Sequence, residues 1–230
     1  MTSSFLAAAC ACLCAWPALA LVTRTDRDDA EYLELASHYT SALRLTAPAG
    51  EGVLIAPRWI LTSAARSKGP ARVRIGERDH AIQATYAHAE SGVALLLLKE
   101  AVTAAEATPI YRGADEAGKG VVIAGHGGDG RRRAGINTVD RVDARTLEVR
   151  IRKGDDASDL QGALTPAEIG APAYLQVDGQ RFVAGIATTI AGDRETYARV
   201  SALADWIDGT MFRAAADEAR GSVTPPARHR

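Results

Sequence analysis

The chain has 230 residues, of which 47% are hydrophobic, and its formal net charge is -1. A chain of this length and hydrophobicity can bury a sizeable core and shows no sign of wholesale disorder. The near-neutral charge, with residues 131–133 as the one basic run, leaves no electrostatic footprint for nucleic acid, so that class of partner is excluded.

The first twenty residues are predicted to be a signal peptide. They contain no Lys or Arg, are apolar from Phe5 onward and end in an Ala-Leu-Ala pattern that predicts cleavage after Ala20. A retained signal anchor is the alternative, because basic residues are missing. Cys10, Cys12 and Cys14 all lie in this segment, so the mature chain has no disulfide, thiol nucleophile or thiolate metal site. We expect a secreted or periplasmic bacterial protein.

Residues 21–40 form an N-terminal segment, in which Asp28-Asp29 ahead of periodic apolar residues predicts a short capped helix. The following stretch, residues 41–112, is predicted to be a first β unit. Its polar and apolar side chains alternate in several short runs, as in half-buried strands. Residues 93–98 are instead an unbroken apolar run, which is typical of a strand buried on both faces.

A second β unit is predicted over residues 113–200. Its clearest hairpin spans residues 173–187, because Asp178-Gly179 supplies the positive φ angles of a two-residue turn. Residues 201–220 carry apolar side chains at helical spacing and predict a C-terminal helix. The Pro-rich, basic tail at 221–230 is predicted to be disordered. Many short strands and a single late helix predict an all-β fold.

Residues 53–67 read V-L-I-A-P-R-W-I-L-T-S-A-A-R-S, which predicts a strand, a tight turn and a return strand. This stretch resembles the chymotrypsin/trypsin-like serine peptidases, in which G-x-L-I, a turn and W-[VI]-L-T-A-A-H-C lead to the general-base histidine. Residue by residue, Ala65 takes the place of that histidine and Arg66 that of the cysteine.

Four further stretches resemble the same family in the same order, at residues 92–96, 125–127, 167–172 and 200–207. In the first of them, Gly92 stands at the aspartate of the D-I-A-L-L strand. In the third, Ile169 stands at the nucleophilic serine of G-D-S-G-G-P. The resemblance covers about 41–207 and implies two packed six-stranded antiparallel β-barrels, trypsin-like, with a C-terminal α-helix.

The resemblance also implies that the catalytic apparatus is missing. A serine peptidase needs a hydroxyl nucleophile, an imidazole base and a carboxylate that orients the imidazole. Ala65, Gly92 and Ile169 stand at these three positions, and none can donate or accept a proton through its side chain. Loss of the whole unit lowers turnover by about 10⁶-fold. We therefore predict a pseudopeptidase without catalytic residues.

The former substrate cleft is then predicted to bind a protein or peptide. Ala163 lies six residues before Ile169, where the family places the base of its primary specificity pocket, and it has no charge to select Lys or Arg. Ala167 replaces the first glycine of the serine motif. Thr188 and Thr189 are expected on the cleft walls. With Ile169, these residues form the predicted binding surface.

Glu168 stands at the family position whose acidic residue receives a processed N-terminal amine. Its side chain is longer than the family's aspartate. The chain also lacks the I-V-G-G activation sequence, so the sequence predicts no zymogen switch.

Two other functions stay open at this point. An active serine endopeptidase or hydrolase with a non-standard site would need Ser63, Ser67 or Ser91 to pair with a distant histidine. A structural envelope protein would need no working cleft. No ligand spacing typical of a metal or cofactor site is present. We expect no metal, no cofactor, no membrane contact beyond a retained anchor, and a monomer whose protein or peptide partner is unknown.

Overall fold

A computed structural model of the protein describes residues 21–46, 49–68, 72–75, 78–127 and 129–221. The predicted signal peptide and all but the first residue of the predicted tail lie outside the described residues. Within the described ranges, no helix has both the length and the hydrophobicity that a membrane crossing requires.

The described chain starts with strand β1 (Val22–Thr23) and helix α1 (Asp29–Ser37). The Asp28 side chain accepts a hydrogen bond from Ala30 N, and the Glu31 side chain accepts one from Asp28 N. This reciprocal arrangement is a capping box, which satisfies amide groups that the first helical turn leaves free. The short capped helix predicted from the sequence is confirmed.

The first sheet has six strands, β2 (Ala42–Thr46), β3 (Ala49–Ala56), β4 (Trp59–Ser63), β5 (Arg72–Ile75), β6 (Arg78–Ala87) and β7 (Val93–Leu98). They pair antiparallel in the order β2-β3-β4-β7-β6-β5, and the sheet curls until β2 meets β5 in a nearly closed barrel. All six residues of β7 are buried. Leu96 and Leu98 pack inside this barrel, whereas Leu95 and Leu97 belong to a core shared with the second barrel. This alternation explains the unbroken apolar run.

The second half contains β8 (Gly120–His126), β9 (Arg132–Val142), β10 (Thr146–Arg150), β11 (Gly162–Ala163), β12 (Pro172–Val177), β13 (Gln180–Ala191) and β14 (Arg194–Arg199). Six of these strands form a closed barrel in the order β10-β14-β13-β12-β8-β9, while β11 pairs with β1. The turn between β12 and β13 has φ angles of 49° at Asp178 and 79° at Gly179, which confirms the predicted hairpin.

An apolar layer joins the two barrels and helix α2 (Ala204–Gly221). It includes Val53, Leu61 and Leu95 from the first barrel, Tyr174 and Ile186 from the second, and Ile207 from the helix. Ion pairs join the same helix to the β3–β4 turn and to the connection between the barrels: Arg58 contacts Glu218 and Arg112 contacts Asp208, each at 2.8 Å. The predicted fold class, two packed six-stranded barrels with a C-terminal helix, is confirmed.

Gly170 lies where a loop of the second barrel crosses strand β3. Its φ angle is +99°, and a Cβ atom placed on it would lie 2.1 Å from Glu51 O. In the same crossing, Glu51 N donates a hydrogen bond to Ile169 O over 3.1 Å. Glycine is therefore required at this position both by its backbone angle and by the close approach of β3.

We expect Gly170→Ala to lower the free energy of unfolding by more than about 3 kcal/mol, because a strained φ angle adds to overpacking. Gly179→Ala is the matched control, since Gly179 also has a positive φ angle but no atom within 4 Å of the added Cβ. The control should lose only about 1–2 kcal/mol. Urea unfolding of both variants measures the difference, and equal losses would contradict the proposed crossing.

Candidate functional site

The three positions that the resemblance assigns to a catalytic triad lie on loops at the boundary between the barrels. Ala65 is in a 3-10 turn after β4, Gly92 precedes β7, and Ile169 follows a second 3-10 turn. Ala64 N donates a hydrogen bond to Gly92 O over 2.7 Å, which joins the first two loops. Ala65 and Gly92 are exposed and Ile169 is half-buried. The loops are held as a unit around side chains that carry no functional group.

Arg66, at the cysteine position of the motif, connects the two barrels. Its aliphatic stem packs on Gly50, where an added Cβ atom would lie 2.7 Å from the Arg66 Cγ. Its Nη2 donates to Pro166 O over 3.1 Å, in the turn that precedes Ile169. Arg66 therefore supports the loop that carries Ile169 from the opposite barrel.

The predicted binding residues lie on two different parts of the molecule. Thr188 is half-buried beside Gly92, where an added Cβ atom would lie 3.8 Å from the Thr188 Cγ2. Thr189 and Ala167 are exposed. Ala163 is in β11 opposite Val22 and lines a cavity of about 480 Å³ together with the N-terminal segment. The structure therefore brings Gly92 and Thr188 together and places Ala163 beside the N-terminal strand.

A carboxylate occupies the space next to Ala163. Glu195, on β14, is 1% exposed, and its Oε1 accepts a hydrogen bond of 2.5 Å from Leu164 N. Its Oε2 accepts the hydroxyl of Tyr197, which is also buried. Burial raises the pKa of Glu195 to about 7. We did not predict this residue, although Glu195 is in phase with Tyr197 on the inward face of the strand, and that alternation is a usable signal.

Glu168 receives the N-terminal segment. Its Oε1 accepts a hydrogen bond of 3.2 Å from Leu21 N, and its Oε2 accepts from Thr165 N at 2.8 Å. Gly125 makes room for it, because an added Cβ atom would lie 2.5 Å from Glu168 Oε1. Burial raises the pKa of Glu168 to about 7, and the charge of Glu51 adds to this increase. The segment thus docks on Glu168, the residue that the resemblance places at the amine-receiving position.

A second buried carboxylate lies beside this site. Glu51 is 1% exposed, and its two oxygens contact His126 through the backbone N at 3.0 Å and the ring Nδ1 at 2.9 Å. The Thr62 hydroxyl donates to Glu51 O over 2.6 Å. Burial raises the pKa of Glu51, while the contacts with His126 lower it. The His126 ring therefore bonds to a buried acid and not to a nucleophile.

In the described chain, none of the three serine hydroxyls that an unconventional hydrolase would need forms a hydrogen bond with a base. The hydroxyls of Ser63 and Ser91 are buried without a hydrogen-bond partner, and that of Ser67 donates to Ala64 O. The nearby His88 uses its Nδ1 to accept the backbone N–H of Ser91 at 3.2 Å. Over the described ranges, no group of three or more His, Cys, Asp or Glu side chains is arranged to hold a metal ion.

Comparison with known proteins supports the fold and does not define a family. No protein-family model matches the chain, and no curated protein matches it significantly. Among solved structures, that of kallikrein-related peptidase 10 in complex with Zn²⁺ is similar, with a TM-score of 0.62 and 16% sequence identity. The match covers 77% of this chain and 98% of that chain. The fold of this protein is therefore trypsin-like.

Proposed function

We propose that this protein is an exported pseudopeptidase that binds a peptide or protein segment at the boundary between its two barrels. One observation carries the proposal: the loops that the resemblance assigns to the catalytic site are held in place around Ala65, Gly92 and Ile169, whose side chains cannot transfer a proton. Ordered loops without proton-transfer groups can position a ligand, but they cannot activate a nucleophile.

The edge of β13 offers a backbone surface for such a ligand. The pairing of β12 with β13 ends at Ile186, whereas β13 continues to Ala191 and from there pairs only with β14 among the described strands. The backbone of residues 188–190 therefore has one unpaired side, next to Gly92. An extended peptide can add to such an edge through main-chain hydrogen bonds, with side-chain contacts providing selectivity. Half-buried Ile169 supplies an apolar contact at the former reaction centre.

The N-terminal contact supports processing after Ala20. Leu21 is 2% exposed, and its N atom lies on the buried carboxylate of Glu168. Removal of the signal peptide would turn this N atom from a peptide amide into an α-ammonium group. A charge-assisted hydrogen bond to a carboxylate is about twice as strong as a neutral one. We infer that the mature protein begins at Leu21 and that this ion pair stabilises the second barrel.

We expect the purified chain from Leu21 to Arg230 to hydrolyse no member of a mixed peptide library and to take up no fluorophosphonate probe. The reason is the absence of a nucleophile with a base at the triad positions. Trypsin is the positive control, and circular dichroism checks that the chain is folded. Labelling that Ser63→Ala or Ser91→Ala abolishes would instead establish the alternative of a serine hydrolase with a non-standard site.

Peptides selected from a random displayed library with this chain should bind Ile169→Arg at least about tenfold more weakly, which corresponds to 1.4 kcal/mol. The physical reason is that a charged side chain would replace the apolar contact at the loop junction. Phe212→Arg is the matched control, because Phe212 is 76% exposed on α2. If both variants bind every selected peptide as tightly as the parent chain does, the proposal of peptide binding at the barrel boundary is wrong.

The pH dependence of stability tests whether the N-terminus created by cleavage after Ala20 pairs with Glu168. In a chain with Gly-Ser ahead of Leu21, the folded protein holds the Glu168 proton up to about pH 7, whereas the unfolded chain releases it near 4.5. Stability is therefore lost as the pH rises through this window, by roughly 2–3 kcal/mol. In the chain that starts at Leu21, the ammonium group lowers the pKa of Glu168, and we expect a smaller loss.

Urea unfolding at about pH 5 and about pH 8 measures both chains, each with and without Glu168→Gln. Glu51 acts electrostatically on Glu168, so its contribution changes together with that of Glu168. The difference between the chains should disappear in the Glu168→Gln pair. An equal pH dependence of the two unmutated chains would show that the new N-terminus does not reach Glu168.

A further inference from the structure

A cavity of about 440 Å³ lies between β2 and β5 of the first barrel and residues 126–132 of the second. One wall is apolar and includes Leu43 of β2, Ile75 of β5 and Ala105 of the connection between the barrels. The other wall carries Arg44, His126 and Arg132. None of the residues that we assign to peptide binding lines this cavity, so it is a separate candidate site.

Arg132 differs from its two neighbours in the Arg131–Arg133 run. Arg133 pairs with Asp29 at 2.6 Å and with Asp129 at 2.9 Å, and Arg131 contacts Asp29 at 3.4 Å. The Arg132 guanidinium instead donates only to two backbone carbonyls, those of residues 36 and 42. Across the described ranges, no carboxylate lies within ion-pairing distance of it. Burial lowers its pKa, and a half-buried cation without a counter-ion destabilises the fold.

Arg44 adds a second cation to the same wall. It is exposed, and its Nη1 rests on Gly130, where an added Cβ atom would lie 2.9 Å away. In the part of the chain that the structure describes, Arg44 also has no carboxylate at ion-pairing distance. Gly130, with a φ angle of +76°, allows the guanidinium to lie close to the backbone. Two guanidinium groups without acidic partners therefore face one cavity.

His126 completes the polar wall with one free ring nitrogen. Its Nδ1 bonds to Glu51, and in the tautomer that donates from Nδ1 the Nε2 atom is an acceptor, so the donors for an anion are the two guanidinium groups. Glu51 acts electrostatically on Arg132 and Arg44. Its two oxygens are both engaged by His126, and it is buried behind the cavity wall rather than lining it. The cavity therefore presents donors and positive charge to its interior, with the nearest described acid already hydrogen-bonded.

We propose that this cavity binds a carboxylate attached to an apolar body. The planar forks of Arg44 and Arg132 suit a carboxylate, since guanidinium groups bind it through paired hydrogen bonds. Leu43 and Ile75 contact the apolar body. The volume is in the usual range for a small-ligand site, about 300–1,000 Å³. The carboxylate belongs to the C-terminal residue of a peptide or to a free branched acid, which share this chemistry.

Calorimetric titration of the chain from Leu21 to Arg230 with N-acetyl-L-leucine and with 4-methylpentanoate tests the proposal. We expect saturable binding of at least one of them. Tighter binding of N-acetyl-L-leucine would identify a peptide C-terminus as the source of the carboxylate, and tighter binding of 4-methylpentanoate would identify a free acid. N-acetyl-L-leucinamide, which lacks the charge, and inorganic phosphate, which lacks the apolar body, should each bind at least about tenfold more weakly.

Arg132→Gln and Arg44→Gln should each weaken binding of the preferred acid by about tenfold or more. Arg44 is exposed, so its variant keeps the test valid if Arg132→Gln does not fold. Arg141→Gln is the matched control, because Arg141 is an exposed arginine of the same strand as Arg132 and does not line the cavity. Absence of saturable binding, equal binding of the amide or of phosphate, or unchanged affinity in both variants would overturn the proposal.

The proposal is independent of peptide binding at the barrel boundary. Ile169→Arg should leave the affinity for the acid unchanged, since Ile169 does not line the cavity. The two sites can therefore fail or succeed separately.

Discussion

The apolar layer between the two barrels is the constraint on which the rest of the structure depends. Strand β7 is buried on both faces because alternate leucines fill its own barrel and the shared layer. The loops that carry Ala65, Gly92 and Ile169 emerge where this layer ends. Backbone hydrogen bonds join these loops to one another and to β3, from Ala64 N to Gly92 O and from Glu51 N to Ile169 O.

Three buried glutamates are held mainly by backbone N–H groups. Glu168 accepts from Leu21 and Thr165, Glu195 accepts from Leu164, and Glu51 accepts from His126. Burial raises the pKa of each of these carboxyl groups. A carboxylate that bonds to a distant backbone amide fixes the path of that segment, since leaving the amide or the carboxylate unpaired would destabilise the fold. Polar groups here specify local structure rather than chemistry.

This arrangement gives the protein two surfaces with different chemistry. At the barrel boundary, small and apolar side chains stand beside an unpaired strand edge, which suits an extended peptide. At the second cavity, Arg44 and Arg132 lack acidic partners among the described residues and suit an anion. Either surface can serve recognition, because neither requires a group that transfers a proton.

The sequence by itself determined the features that depend on near neighbours in the chain. The capping box at Asp28, the Asp178-Gly179 hairpin and the doubly buried strand at 93–98 follow from local backbone preferences and side-chain periodicity. The order of five motifs was enough to identify the trypsin-like fold, whereas the assignment of Ala65, Gly92 and Ile169 to triad positions stays a prediction.

Only the tertiary structure decided which polar groups meet. Leu21 and Glu168 are 147 positions apart in the chain, and Asp29 and Arg133 are 104 apart. No periodicity links residues at such separations, so the docking of the N-terminal segment on Glu168 had no local signature. For the same reason, three consecutive arginines looked alike until the fold placed Asp29 and Asp129 beside Arg133 and left Arg132 facing a cavity.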